Sequence, residues 1–385
     1  MKPEEMERGT GEEELAAHHG EEMPRVLITR RRAIGFALFV LAIVAFLYFV
    51  LPKLAGVGMT LHRLQRGNTW WIIAGGALEL CSFAGYVLAF RTVFVRGGSL
   101  IGWRESYQIT MAGLVATRLF AAAGAGGVAL TAWALRRSGM QPRIVACRMV
   151  AFIVLLYSIY VGSLLIDGIG LGVGLFPGGG AFAITLLPAI LAAVIITAIG
   201  AVTLLPEDTE RRLHSWGSGY GRRARWIARA LSVPALAASG VRTAVSLIRA
   251  REPGLLGALA WWGFDICVLW AMFHAFGSPP PFTVIWMSYF VGTLGNLLPL
   301  PGGLGGVEGG MIGAFAAFGV DFNLAVLAVL SYRGISFWLP TLPGGVAYFQ
   351  LRRTVARWRG DHAQPAAAAR ADAVERTGAL GGSVG

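Results

Sequence analysis

Six ionisable side chains stand in or beside stretches apolar enough for a lipid bilayer. Glu79, Asp265 and Glu308 are negative and Arg118, Arg148 and Arg333 positive, so the signs balance three against three. One charge at the bilayer centre costs at least about 2.5–3.5 kcal/mol on insertion scales. Six are tolerable only if they pair or meet water, and charges kept on those terms read as parts of a path for a charged substrate. In that reading Glu308 and Arg333 contact a headgroup or couple protons, while Arg118 and Arg148 neutralise phosphate. Plainer readings stand beside it. Glu308 and Arg333 would also serve as a structural ion pair that fixes helix orientation, and Glu79 as an interhelical hydrogen-bonding group. Asp265, flanked by Trp261, Trp262 and Trp270, would face the protein interior.

The stretch around Glu308 is broken. "LLPLPGGLGGVEGG" (Leu297–Gly310) places two prolines and six glycines where a membrane helix ought to run. Non-helical backbone at membrane depth survives only when buried in protein or lining an aqueous cavity. "PLPGGLGG" (Pro299–Gly306) therefore predicts the tip of a hairpin facing such a cavity. Pro299 and Pro301 remove donors and stop the first arm. Gly302, Gly303, Gly305 and Gly306 permit left-handed turns and close approach of a ligand. The arm that follows points its free N–H groups at the cavity, which favours an anionic headgroup such as a phosphate. The alternative is a kinked helix packed tightly through glycine. Candidate substrate contacts are Glu308, Arg333, Tyr332, Asn296, Gly302, Gly303, Arg118, Arg148, Asp265 and Glu79, with Pro299, Pro301, Gly305 and Gly306 as the hairpin tip.

The elements that must position these groups follow from composition. Hydrophobic residues make up 55% of the 385 positions and charged ones 14%, with a mean hydropathy of +0.62. Soluble domains carry roughly a quarter of charged residues, so the chain reads as an all-α polytopic integral membrane protein. Windows long enough to span, about 20 residues each, fall at 33–51, 69–90, 145–166, 181–204, 254–276 and 324–346. Residues 1–29 are acidic and lack aromatics, which predicts a disordered tail, and 352–385 form an Ala-rich tail of the same kind; 30–351 are the membrane domain. The net charge of +12 lies in arginines beside span ends, which reads as topology bias and attraction to anionic lipid, not nucleic-acid binding. Cys81, Cys147 and Cys267 fall within spans and offer neither a disulfide framework nor metal-ligand spacing.

Charge also sets the fate of two further apolar stretches, 106–137 and 282–320. If both crossed fully, the 205–253 connector with its nine arginines would lie outside, against the charge bias. If each enters and leaves by one face, that connector, the Arg136–Arg143 turn and the C-terminal arginines all lie inside. The expected architecture is six full transmembrane helices plus two re-entrant helical hairpins. The hairpins also resemble each other. "TRLFAAAGAGGVAL" (Thr117–Leu130) lies over "NLLPLPGGLGGVEG" (Asn296–Gly309), matching Gly124, Gly126, Gly127 and Val128 to Gly303, Gly305, Gly306 and Val307. Opening to opposite faces, they predict an inverted-topology repeat, the layout of many secondary transporters. Two unrelated small-residue packing helices are the alternative.

"PGGLGGVEGG" followed by "LSYRGISFWLP" (Leu330–Pro340) resembles the signature of the lysylphosphatidylglycerol synthase transmembrane, or flippase-like, domain family. Pro301, Gly302, Gly303, Gly305, Glu308, Tyr332, Arg333, Phe337, Trp338 and Pro340 stand in matching positions, and the resemblance covers roughly 35–350. It implies movement of aminoacylated or other lipids between leaflets, or at least lipid binding. Two departures are visible. Phe120 stands in place of the first hairpin's usual proline and Ala129 in place of a Glu, and the chain ends at Gly385 with no room for a soluble aminoacyl-transfer domain. Lysyl transfer by this chain alone is not expected.

The expected function is therefore transport: a flippase for a lipid or other amphipathic molecule with a charged headgroup, the two hairpins alternating as gates. A second reading is a lipid-binding scaffold presenting the basic 205–253 loop, whose residues 222–251 read as one or two amphipathic helices, to a partner. An intramembrane lipid-modifying enzyme ranks last, because all six histidines lie at span ends, in loops or in tails and no nucleophile or zinc motif falls in a span. No catalytic residue, cofactor or metal is assigned. Expected partners are membrane lipids, anionic or aminoacylated phospholipid first, with a second copy of the chain or a separate lipid-modifying enzyme as protein partners and no nucleic acid. The arginine-rich composition and charge bias point to a bacterial inner membrane with both termini cytoplasmic.

Overall fold

The computed structural model describes residues 67–95, 100–119, 125–203, 222–298 and 300–358. The expected span at 33–51, both tails beyond those limits, Phe120, residues 204–221 of the connector and Pro299 lie outside the described residues. All regular structure within them is helical: α1 (Thr69–Phe94), α2 (Trp103–Leu119), α3 (Ala125–Arg137), α4 (Pro142–Gly172), α5 (Leu186–Thr203), α6 (Arg222–Arg249), α7 (Leu256–Phe276), α8 (Phe282–Thr293), α9 (Gly306–Ala317) and α10 (Phe322–Arg333). A π-helical turn, Gly334–Trp338, joins α10 to α11 (341–358).

Five helical stretches are long and apolar enough to cross a membrane: Thr69–Phe94, Pro142–Gly172, Phe182–Ala201, Pro253–Phe276 and Phe322–Trp358. They coincide with the five expected spans that fall among the described residues, and the chain is an all-α polytopic membrane protein. Local sequence sets their starts. The Asn68 side chain accepts from Trp70 N at 3.0 Å, Pro142 occupies the first turn of α4, and Asp321 Oδ1 accepts from Leu324 N at 2.9 Å. Each device fills or removes one of the orphan donors at a helix N-terminus. Ile190, Leu191 and Val194 of α5 are exposed, as a lipid-facing helix requires.

Both expected hairpins are present as pairs of short helices packed together, α2 with α3 and α8 with α9. Their arms of 17, 13, 12 and 12 residues amount to about 18–26 Å of helix, short of the roughly 30 Å hydrocarbon core. Contacts inside the two hairpins correspond in the register read from the sequence. A Cβ on Gly113 would meet Thr131 Oγ1 at 3.0 Å, and one on Gly310 would meet Gly292 Cα at 3.0 Å. A second close approach is offset by one position: a Cβ on Gly127 would lie 2.1 Å from Thr117 Oγ1, and one on Gly306 would lie 2.7 Å from the carbonyl oxygen of Gly295, the residue before Thr117's counterpart Asn296. Both hairpins also end alike. Met140 N donates to Leu135 O beside left-handed Gly139, and Val320 N to Phe315 O beside left-handed Gly319, the bonding of a Schellman stop.

The two helices that precede the hairpins, α1 and α7, pack along their length and run antiparallel. Asn68 N donates to Ala275 O at one end, and Gly85 sits against the Gly257 carbonyl at the other. Buried side chains form one cluster around α1–α4, α6 and α11 and another around α7–α10 with the later half of α4, both touched by Ile159 and Trp261. The connector helix α6 agrees in form with the expected one or two helices and departs from expectation in where its apolar face lies. It is one continuous helix, and Ala238, Val241, Ala244 and Leu247 are buried. Gly240 packs on Val150 of α4, so the described half of α6 turns its apolar face into the protein.

Candidate functional site

The second hairpin breaks where the sequence placed the break. α8 ends in a 3-10 turn, Leu294–Leu297, a second turn follows at Pro301–Gly303, and α9 begins at Gly306. Gly302, Gly303 and Gly305 have φ of 59°, 66° and 83°, in the left-handed region that L-residues with a Cβ enter only at a cost. Close approach is required as well. A Cβ on Gly303 would lie 2.1 Å from Asn296 Oδ1, and one on Gly295 would lie 2.2 Å from the Gly306 carbonyl carbon. Asn296 itself is exposed at the tip.

Glu308 closes this tip. Its Oε2 accepts from Gly305 N at 2.7 Å, the reach-back half of a capping box. Its Oε1 accepts from Arg333 Nε at 2.7 Å, and Glu308 is only 1% exposed. Arg333 also donates through Nη2 to the Gly302 carbonyl at 3.2 Å. One guanidinium of α10 thus holds both the carboxylate and the left-handed glycine of the hairpin.

Arg118, at the end of α2, reaches the same place from the first hairpin. It donates to the carbonyls of Ser336 (2.8 Å) and Phe337 and to Thr341 Oγ1 (3.2 Å). The reason lies in Pro340. A helix would satisfy the Ser336 carbonyl with the N–H of residue 340, and proline has none. The chain widens into a π-turn there, and the freed Ser336 carbonyl accepts from Arg118, as does the Phe337 carbonyl, which also accepts from Thr341 Oγ1 at 2.6 Å. The guanidinium carbons of Arg118 and Arg333 each lie 4.8 Å from the centroid of the same ring, Phe337. Among the described residues no carboxylate lies within 4.0 Å of Arg118.

Acidic groups gather beside these cations. Tyr289 Oη and Tyr332 Oη both donate to Asp265 Oδ2, the latter at 2.8 Å. Glu79 faces Asp265 across the α1–α7 contact; it is 2% exposed and its Oε2 has no hydrogen-bond partner. Arg118 lies within electrostatic reach of Glu79, Asp265 and Arg333. The structure therefore brings together Glu79, Asp265, Arg118, Arg333, Tyr332, Glu308, Gly302 and Gly303, with Asn296, Gly305 and Gly306 at the adjoining tip. Arg148 is placed elsewhere. It donates to the Phe94 carbonyl at 2.9 Å, at the C-terminal end of α1, where a cation suits the helix dipole. Pro299 and the side chain of Pro301 are outside the described residues.

Tyr289, Phe337, Ser336 and Thr341 join the site without having been singled out as contacts. Pro340 four residues after Ser336 was the signal for two of them. Among the described residues no three His, Cys, Asp or Glu side chains gather as a metal site. Chemically the arrangement offers two guanidiniums around an aromatic face, one of them bonded only to neutral oxygens, and a carboxyl-rich side a few residues away. It can hold an anion and exchange its ion pairs.

Comparison with known proteins agrees with this architecture. A UPF0104 membrane protein of Methanothermobacter thermautotrophicus is 38% identical over 109 residues, 28% of this chain and 31% of the relative. Another match of the same description and organism is 25% identical over 332 residues, 82% of this chain and 95% of the relative. UPF0104 membrane protein PH1989 of Pyrococcus horikoshii is 31% identical over 100 residues, 26% of this chain and 30% of the relative. In two of these three matches the aligned part spans about a third of the relative's length. These relatives are archaeal, and they lend no support to the bacterial source read from composition. The model of the lysylphosphatidylglycerol synthase TM region matches residues 33–344, which takes in both hairpins and every residue of the charged cluster, and the chain belongs to that family.

Proposed function

We propose that this protein is a transporter, not an enzyme, and that it moves a lipid with an anionic headgroup between leaflets. The reading rests above all on one observation: guanidiniums from two different parts of the fold, Arg118 and Arg333, flank a single ring beside the glycine tip, and Arg118 has only neutral partners among the described residues. A guanidinium at membrane depth bonded only to neutral oxygens is costly, and a phosphate accepting from both arginines would offset that cost. Arg333 holds the hairpin tip through Glu308 and the Gly302 carbonyl. A headgroup competing for Arg333 would loosen that hold, so binding and hairpin release are linked in the way a gate requires. Tails stay in lipid, against the exposed apolar faces, while the headgroup crosses through the charged site. An inner membrane with cytoplasmic termini remains the expected setting, from the arginine distribution.

Leaflet exchange of fluorescent phosphatidylglycerol and its lysyl ester in liposomes holding the purified protein tests the reading. Exchange above that of empty liposomes, cut at least about tenfold by Arg118→Gln, a loss of roughly 1.4 kcal/mol or more in the transport barrier, supports it. Exchange indistinguishable from empty liposomes for both lipids, or untouched by that substitution in folded protein, overturns it.

A further inference from the structure

We infer that Glu79 and Asp265 form a proton-binding site that fills when an anion occupies the arginine side of the cluster, so that the anion moves together with a proton. The inference builds on the transport reading above and adds what travels with the substrate.

Geometry carries the first half. α1 and α7 approach closely on both sides of the carboxyls: a Cβ on Gly75 would lie 2.7 Å from Met272 Cε, and one on Gly85 2.7 Å from the Gly257 carbonyl oxygen. That approach sets Glu79 against Asp265. Asp265 is already an acceptor, since both tyrosine hydroxyls donate to its Oδ2. Glu79 is buried with Oε2 unpartnered, and among the described residues no basic side chain lies within 4.0 Å of its carboxylate. Two carboxyl groups in contact away from water both stay ionised only while positive charge lies beside them, and where that charge is cancelled the pair takes up a proton. When the proton binds, it sits on Glu79, whose Oε2 is otherwise unpartnered, and is donated toward Asp265.

The second half follows from the sign of the surroundings. The groups facing the pair are Arg118 of α2, Tyr289 of α8, and Tyr332 and Arg333 of α10. Glu308 of α9 is committed to Arg333 and to the Gly305 amide. Positive charge on Arg118 and Arg333 repels a proton from the pair. An anion held by those guanidiniums cancels part of that charge and admits the proton. Linkage is reciprocal: what makes anion binding take up a proton also makes acid strengthen anion binding. On the far side, loss of the proton and loss of the anion favour each other.

The test is proton uptake on ligand binding by the full chain in phosphatidylcholine nanodiscs. Binding heats are measured in two buffers of different ionisation enthalpy, with short-chain phosphatidylglycerol in one arm and inorganic phosphate in the other. Uptake of about one proton per anion bound, lost from the binding heats of Glu79→Gln and Asp265→Asn measured at saturating anion, supports the inference. Uptake with phosphatidylglycerol alone identifies a lipid headgroup as the anion; uptake with phosphate as well identifies the phosphate group itself. Anion binding by the wild type without proton uptake overturns the inference and leaves the transport reading intact. Uptake that survives both substitutions overturns it too. Binding of neither anion removes both readings together. Proton-linked binding of phosphate without lipid exchange removes only the lipid-transport reading. Should either variant fail to fold, the wild-type uptake and a Glu79→Asp variant decide.

Discussion

Arg118 donates to the backbone carbonyl of Ser336 at 2.8 Å, across 218 positions of chain. The bond exists because Pro340 supplies no N–H to that carbonyl. The first hairpin is therefore tied to the last span by main-chain chemistry, and the tie can be cut from either end.

Cut from the arginine, the outcome separates charge from geometry. Arg118→Lys keeps the positive charge but loses the fork that reaches two carbonyls and a hydroxyl at once. Thermal unfolding in detergent is expected to show a loss of about 1.5–3 kcal/mol, with lipid exchange reduced at least several-fold. Arg118→Ala should cost more on both scales. Unchanged stability in Arg118→Lys would mean that the carbonyls find other donors.

Cut from the proline, the two effects should part. Pro340→Ala restores a donor for Ser336 and lets the helix run more regularly, so the unfolding midpoint should hold or rise. Lipid exchange should nevertheless fall, because Arg118 loses an acceptor and its place beside Phe337. A variant that keeps full exchange would show that the π-turn is dispensable for movement.

The Glu308–Arg333 pair is suited to a double-mutant cycle. Arg333→Ala leaves Glu308 buried and without its cation, and removing one member of a buried pair costs about 3–5 kcal/mol. Glu308→Gln should be milder, because the amide oxygen still accepts from Gly305 N. The double variant Glu308→Gln, Arg333→Gln should recover part of the stability without recovering exchange. Equal stability losses in single and double variants would show that the pair is not coupled.

Glycines of the tip offer a size test. Gly303→Ala meets Asn296 Oδ1 at 2.1 Å and also holds a positive φ, so overpacking and strain of about 1–3 kcal/mol each are expected. Gly263→Ala meets nothing within 4 Å and serves as the control, expected to stay within about 0.5 kcal/mol of the wild type. Melting curves of the two variants measure the contrast.

Arg148→Gln should behave unlike the other arginine variants. Its bond to the Phe94 carbonyl lies away from the charged cluster, so roughly 0.5–1.5 kcal/mol of stability is lost and lipid exchange is kept. Loss of exchange without loss of stability would return Arg148 to the substrate path.

Much of this arrangement was legible beforehand, for identifiable reasons. Apolar length marks spans, and the glycines around Gly303 mark a tip, because both constraints act on the chain locally. Glu308 and Arg333 were paired in advance as one of two readings. Arg148 was grouped with Arg118 on type and approximate depth, but sequence does not tell which helix end a side chain meets. The convergence of Tyr289 and Tyr332 on Asp265 depends on how three helices cross, which no local pattern encodes. The buried face of α6 was missed for the opposite reason: its arginines outweigh small residues such as Ala238 and Ala244 that allow close packing.

A π-turn holds one residue more than the α-helix it interrupts, and that surplus sets the rotational phase of everything after it. Deleting a single residue from Gly334–Trp338 would remove that surplus and shorten the join between α10 and α11, with Pro340 still marking the break. It would also turn 341–358 by about 100° relative to α10, carrying Thr341 away from Arg118 and the buried Ala347, Leu351 and Val355 out of their core. The turn is thus a length standard for the domain. Point substitutions along the last span test individual contacts, whereas a one-residue change in its length resets the angle at which the two halves of the protein meet.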